Sequence, residues 1–429
     1  MKKENILKGS NIVLLMLIFT FSLVFASVLC FNDFAQAEKV TLTVWDTSSN
    51  ERPEAVKAIV KAFEAQNPDI QVKIETTDWN SFAQKSLLAG EANVLPDCIE
   101  VGGDWMQPMA KRGYLEDLQP FIDKEPDGFI DDYLMATKDS WTGTYSYLPW
   151  IANVMGFYMV EEYLKEAGFT EAPKTWEEFE EVAKKCTIKG ADGKVERWGF
   201  VSSQKSSAEF VRMLLNSFGA VFENPDGTSG LGSPEAIAAI EYKTRIEKNY
   251  APEGIAVFEA KESRDIFMAG KAAFLAEGNW MNSMLEVGMM PGLTWKPFLT
   301  PVKDVPTAVV GPEEYGIGKG TKHPEEAWKF VKFITGPEAD AILVKQFKGI
   351  PSHRVNMSIP IVHLDPLVAP FADQLANAKR IEFYGGYKTY GAFVKYGRDT
   401  YQKILYGKMT VEEAMKELAK KIDEEMAKQ

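Results

Sequence analysis

Val40-Thr41-Leu42-Thr43-Val44 alternates apolar and polar positions with a period of two, the pattern of a strand with one face against a core. Pro53 then opens a stretch in which Val56, Ile59, Val60 and Phe63 share one helical face, and Asn67-Pro68 stops it. Ile70, Val72 and Ile74 alternate again as a second strand. Phe82, Leu87 and Leu88 predict a second helix ending at Gly90, Pro96 to Val101 a third strand, and Trp105 to Lys111 a third helix. Strand and helix taking turns predict right-handed crossovers and a largely parallel sheet.

The second half repeats the style. Thr175 and Glu178 form a capping box at the head of a helix, Arg197 to Val201 is a short strand, and Ala208 to Phe218 and Pro234 to Asn249 are helices. Met268-Ala269-Gly270 closes a further helix, and Ala272 to Ala276 is an apolar strand that runs into a polar turn, Glu277-Gly278-Asn279, and then Trp280. Thr410-Val411-Glu412-Glu413 is a second capping box, leading a long charged helix. The segment from Gly316 to Thr321 has neither the spacing of a P-loop nor that of a dinucleotide fingerprint, and reads as a turn.

In open α/β sheets, ligands collect outside the carboxyl ends of the strands. Here those ends read Trp45-Asp46-Thr47-Ser48-Ser49, Thr77-Asp78-Trp79-Asn80 and Gly102-Gly103-Asp104-Trp105, each with a tryptophan and a carboxylate. Taken singly, Asp46 or Asp78 is accounted for as a helix cap and Trp45 as core. Three such loops at equivalent ends point to a cleft.

Ahead of the first strand, Lys2, Lys3 and Lys8 precede an apolar run from Ile12 to Leu29, and Ala35-Gln36-Ala37 supplies a small-x-small cleavage site. That is the layout of a signal peptide over residues 1–37. An uncleaved anchor is the alternative, since the run exceeds the usual h-region; lipidation at Cys30 is a third, opposed by the bulky Leu29 before it. Cleavage leaves 392 of 429 residues. The leader carries three lysines against Glu4 and Asp33, so the net charge moves from −13 to −14. No excess of Lys and Arg exists to neutralise phosphates, which argues against a nucleic-acid partner. The length suits two domains. Cys98 and Cys186 lie in regular elements and read as buried free thiols.

Little in the chain reads as catalysis. His323, His353 and His363 are scattered without metal-ligand spacing, and there is no G-x-S-x-G elbow. An exported glycosidase needs a carboxylate pair, for which Asp104 and Glu277 are candidates, but nothing in the sequence pairs them. Binding fits better. A sugar offers an apolar face and a rim of hydroxyls, which call for flat aromatic platforms edged by Asp, Glu, Asn and Arg. Aromatic residues make up 12% of the chain, with Trp79, Trp105, Trp150, Trp280, Tyr384, Tyr387 and Tyr390 near turns.

Several segments, in order, resemble the bacterial extracellular solute-binding proteins of family 1, the maltose-binding-protein-like group. They are Ala55 to Ile74, Pro96 to Leu118, the P-K-T-W-x-E-F stretch Pro173 to Phe179, Phe267 to Trp280, Gly349-Ile350-Pro351 and Gly407 to Met415. The chain departs from the family at Gly156-Phe157-Tyr158-Met159-Val160, where the usual G-x-x-Y-N-K lacks its Asn. The resemblance implies a periplasmic-binding-protein-like fold of type II, α/β, with two lobes joined by three crossing segments and a ligand cleft between them. The implied division is residues 38–148 plus 314–349 for the first lobe and 149–313 plus 350–429 for the second.

The resemblance also implies a function and its contacts. Asp104 would meet ligand hydroxyls from lobe one beside Thr47, Ser48 and Ser49, with Trp79 and Trp105 in the neighbouring loops. Trp150 and Asn153 would sit on the first crossing, Glu313 and Glu314 on the second and Arg354 near the third. In lobe two Trp280 would be the stacking platform, with Glu277 and Asn279 nearby, and Tyr387 is a further candidate contact. The expected protein is a monomeric binding protein outside the cytoplasm, not an enzyme. It would use no cofactor or metal, capture a mono- or oligosaccharide by lobe closure and deliver it to the permease subunits of an ABC importer. The alternatives are a non-sugar solute, such as a polyol phosphate or an amine, and a secreted glycan-cleaving enzyme.

Overall fold

The computed structural model describes residues 39–48, 52–102, 106–203, 207–383 and 387–428. The leader, Ser49, Asp104 and Trp105 lie outside the described residues. Among the described residues no helix is long and apolar enough to cross a membrane.

Two five-stranded sheets organise the chain. The first has the order β2-β1-β3-β11-β4, from β1 (Val40–Asp46), β2 (Ile70–Thr76), β3 (Cys98–Gly102), β4 (Leu148–Ile151) and β11 (Glu313–Ile317). The second has the order β6-β7-β8-β5-β9, from β5 (Met155–Val160), β6 (Ile188–Lys189), β7 (Val195–Ser202), β8 (Ala272–Gly278) and β9 (Trp295–Phe298). A parallel pair, β10 (Thr307–Val310) and β12 (Arg380–Phe383), completes the strands.

The βαβ reading holds for β1, β2 and β3, which pair in parallel through α1 (Pro53–Gln66) and α2 (Trp79–Ala92). The expectation of a largely parallel sheet does not. β11 returns antiparallel between β3 and β4, and β5 runs antiparallel to both β8 and β9. Strands that arrive from the other sheet enter without the crossover helix that imposes parallel pairing. The turn expected over residues 316–321 is in part β11. It was hidden because a strand buried on both faces shows no alternation. Glu277 and Gly278 likewise belong to β8, which is buried along its whole length and pairs them with Gly156 and Met155. Helix α2 runs past Gly90 to Ala92, and Asn93 supplies the left-handed cap instead.

Each sheet has its own core. Leu42, Val44, Phe63, Tyr315 and Phe330 fill the first. Phe157, Phe179, Phe200, Phe210 and Phe274 fill the second, where Phe179 stacks on Phe274 at 4.8 Å. Trp176, Phe179, Val182 and Cys186 form the buried face of α3 (Trp176–Cys186), whose Thr175–Glu178 capping box is present. Cys98 and Cys186 are buried and free. The chain passes between sheets at residues 152–154 and again at residues 311–312. These two passages touch, with Gly311 N–H donating to Asn153 O at 2.8 Å and a bridge between Val154 and Val310.

A buried charge pair holds the second lobe's helices to its sheet. Lys243 on α4 (Pro234–Tyr250) is fully buried. It donates to Glu247 at 2.7 Å and lies 3.6 Å from the Tyr401 ring centroid. Glu247 also accepts from Ser202 at 3.0 Å and from Tyr401 at 2.6 Å. Burial outweighs the attraction of Glu247 and draws the lysine down to about 8. Glu247→Leu removes the ammonium's ion partner in a dry site, and should cost about 3–5 kcal/mol in urea unfolding. Lys416→Ala, at an exposed pair with Glu412, should cost under about 1 kcal/mol. Equal losses would show that the buried pair contributes nothing special.

Candidate functional site

The β1 end, Asp46-Thr47-Ser48, leaves the first sheet directly above β3. Glu100 is fully buried in the middle of β3 and gathers this turn. It accepts from Thr47 N–H at 2.6 Å and from the Thr47 hydroxyl at 3.0 Å, and its Oε1 lies 3.2 Å from the Ser48 hydroxyl. Burial first, and then the nearby Glu313 and Asp46, push its carboxyl well above the ordinary glutamate range.

Glu313, the first residue of β11, stands where the two passages meet. Its Oε2 accepts from Ser48 Oγ at 2.8 Å and from Arg52 at 3.5 Å, and its Oε1 accepts from Asn153 Nδ2 at 2.7 Å. Thr47, Ser48, Asn153 and Glu313 therefore form one hydrogen-bonded group. Trp79 joins its edge. The ring tip of Trp79 lies 3.3 Å from the point where a Cβ on Gly102 would sit, and that point is 3.8 Å from the Glu313 Cα. Trp79 is 40% exposed, so one aromatic surface beside the carboxylate remains open. Its neighbour Asp78 caps α2 through Ser81 N–H at 3.1 Å, as a cap reading requires.

The second lobe supplies a facing group. Asn279 follows β8 and clamps the first passage, its Oδ1 accepting from Val154 N–H at 2.7 Å and its own N–H donating to Val154 O at 3.1 Å. Its amide oxygen is thus committed to the fold. Glu277 is fully buried and makes a two-point pair with Arg264, at 3.1 and 3.2 Å. Trp280 is half-buried, with its six-membered ring lying on Gly278; a Cβ there would meet the ring at 2.1 Å. Its indole Nε1 is buried without a partner among the described residues, as are Asn153 Oδ1 and Glu314 Oε2.

Tyr387 lies elsewhere in the second lobe, stacked on Phe222 at 5.8 Å with the Arg212 guanidinium 5.8 Å from its ring. Burial and nearby Glu382 raise its phenol to about 12. Its carbonyl accepts from Gln107 Nε2 at 2.8 Å, a contact to the helix Met106–Lys111 that follows β3.

Trp150, Arg354 and Glu314, like Tyr387, are not placed with the rest. Trp150 is fully buried, edge-on to Tyr315 at 5.3 Å, and presents no face to a ligand because β4 is covered on both sides. Arg354 is exposed and donates to Asp131 O at 3.0 Å. Glu314 is on the strand face opposite Glu313, buried, with Asp139 nearby. Arg52, Glu100, Gln107, Arg212 and Arg264 were missed. Only Glu100 carried a signal, as a lone carboxylate in the apolar run Cys98 to Val101. Among the described residues no group of His, Cys, Asp and Glu could hold a metal ion.

Two lobes meeting at paired crossings, with polar and aromatic groups gathered at the strand ends, define a solute-binding architecture. Residues 46–341 match the bacterial extracellular solute-binding protein family, and the chain belongs to it. It is 25% identical over 405 residues to a putative binding protein of Brucella abortus, covering 92% of this chain and 95% of that one. It is 23% identical to the maltotriose-binding protein of Pyrococcus abyssi, over 79% of this chain and 72% of that one. The fold superposes on an ABC substrate-binding protein of Listeria monocytogenes solved with cycloalternan. That match has a TM-score of 0.77 and 23% identity, and covers 91% of this chain and 99% of that one. The family and these relatives are binding proteins.

Glu314 gives a pH prediction. Burial, with Asp139 beside it, holds its carboxyl well above the ordinary glutamate value of 4.5. The folded state then keeps a proton that the unfolded state releases, so stability falls as pH rises above about 4.5. Glu314→Gln should melt higher than wild type by a margin that widens from pH 5 to pH 8. A margin independent of pH would mean that the Glu314 carboxyl is not held above its usual range.

Proposed function

We propose that the chain is the extracytoplasmic substrate-binding protein of an ABC importer, and that it captures a sugar or oligosaccharide between its lobes. The observation that carries this reading is the grouping of Glu313, Ser48, Asn153 and Arg52 beside the open ring of Trp79, with Trp280 on the facing lobe. A carboxylate held by its own donors still has lone pairs for hydroxyls, and flat rings take the apolar face of a pyranose. The names of the Pyrococcus relative and the Listeria complex support the same ligand class.

The lobes we assign are residues 38–151 plus 313–349 and residues 152–312 plus 350–429, turning about the passages at 152–154 and 311–312; β4 and Glu313 pair in the first sheet, so the expected borders at 148/149 and 313/314 move to the passages. A ligand touching both favours the closed form by the contacts it makes only there, and the closed form docks on the permease. We assign cleavage after Ala37, export, a monomeric state and no catalysis. The carboxyl groups of Asp46 and Glu313 favour an amine as the second reading and disfavour a phosphate.

Titration of mature protein with maltotriose, mannotriose and cycloalternan, followed by tryptophan fluorescence, tests the reading. A saturable change without new reducing ends is expected, with a smaller radius of gyration in solution scattering. Trp280→Ala and Trp79→Ala should each weaken binding roughly tenfold to a hundredfold, the worth of a stacked aromatic. Silence across the sugars together with a response to polyamines would move the assignment to the amine. Release of reducing ends would make the protein an enzyme.

A further inference from the structure

Ser48 has one hydroxyl proton and two carboxyl groups within reach of it. Its Oγ is 2.8 Å from Oε2 of Glu313 and 3.2 Å from Oε1 of Glu100. A hydroxyl donates once. With both acids ionised, one of the two contacts would place oxygen lone pairs against each other in a buried site, which is costly. A proton on Glu100 removes the conflict. Glu100 then donates through Oε1 to Ser48, and Ser48 donates onward to Glu313.

The other contacts fix that direction. Oε2 of Glu100 faces two backbone donors, Thr47 N–H at 2.6 Å and Ser48 N–H at 3.4 Å, and is the carbonyl-type oxygen. That leaves Oε1 to carry the proton, while the Thr47 hydroxyl at 3.0 Å donates to a remaining lone pair. At the other end, Glu313 accepts only. Asn153 Nδ2 at 2.7 Å and Arg52 at 3.5 Å both donate to it, so it is the charged terminus of the chain.

We propose that Glu100 is a neutral acid and a positioning residue. It heads a directed chain, Glu100 to Ser48 to Glu313, which holds the Glu313 carboxylate in place for ligand hydroxyls. That last step rests on the sugar-binding reading; the stored proton does not. The charged and titratable groups around Glu100 are Asp46 on β1, Glu313 and Tyr315 on β11, Cys98 on its own strand and Arg52 beyond Glu313. The acids nearest to it favour the neutral form.

Glu100→Gln mimics the neutral acid: one amide N–H donates to Ser48, the carbonyl accepts from Thr47 N–H, and the other amide N–H meets the Thr47 hydroxyl, which turns to accept it. Glu100→Ala leaves both donors of the turn unmet. The test is infrared absorption of the sugar-free mature protein at neutral pH. Wild type should show a protonated carboxyl C=O band that is lost in Glu100→Gln and kept in Glu314→Gln, and that fades as pH rises. Glu100→Gln should melt like wild type, and Glu100→Ala should melt lower. Identical carboxyl absorption in wild type and Glu100→Gln would overturn the proposal, and so would a Gln variant as damaged as the Ala variant. A silent sugar panel beside an intact Glu100 band would remove the ligand assignment and leave the proton in place.

Discussion

One carboxylate, Glu313, ties the candidate site together at the point where two passages between the sheets lie side by side. A buried acid at this place needs donors, and each donor comes from a different part of the chain. Ser48 comes from the first strand's end, Arg52 from the start of α1 and Asn153 from the first passage. Moving any of these segments relative to the others breaks a charge-assisted hydrogen bond in a place with little water. The relative position of the passages is therefore tied to the electrostatics around Glu313. Asn279 does the same for the second lobe without charge, by closing both backbone groups of Val154.

That tie accounts for how acidity is spread through the site. Three acids, Asp46, Glu100 and Glu313, crowd together on adjacent strands, and Glu314 lies on the opposite face of β11. Like charges this close, in low dielectric, cannot all ionise freely. The structure deals with them differently. Glu313 is supplied with donors, whereas Glu100 and Glu314 are pushed toward the neutral form by burial. In the second lobe the buried carboxylates Glu277, Glu247 and Glu382 are instead matched by Arg264, Lys243 and Arg212. One lobe answers buried acidity with protons and hydroxyls, the other with cations.

Much of the frame was legible in the residues. The β1-α1-β2-α2-β3 succession and the capping boxes at Thr175 and Thr410 follow from local periodicity and local side-chain chemistry. β11 and the last two residues of β8 were not legible. Their burial comes from partners more than a hundred residues away, and a wholly buried strand has no alternating face to show. The site divides in the same way. Thr47 and Ser48 could be found because a strand end is a local feature, and Trp79 because it follows one. Trp150 misled because a tryptophan near a crossing looks the same in sequence whether it faces the cleft or Tyr315. Arg264, thirteen residues before Glu277, reaches it only because α5 (Ala260–Met268) folds back along β8.

The lobes also touch away from the passages, and this bears on how a ligand acts. Gln107 spans to Ser140 at 3.1 Å and to the Tyr387 carbonyl at 2.8 Å. Nearby, Trp141 lies between Lys111, 3.7 Å from its ring centroid, and Lys388, at 5.3 Å. One hydrogen bond and one partly solvated cation–π contact are each worth about 1 kcal/mol. Contacts of that size bias a lobe equilibrium without locking it, and a ligand's differential contacts add to them. Because Gln107 and Tyr387 belong to segments that border the strand-end loops, a solute entering there meets walls already held near each other. Under the function proposed above, closure would then require less of the ligand, and the polar group at Glu313 would be left to decide which solute is kept.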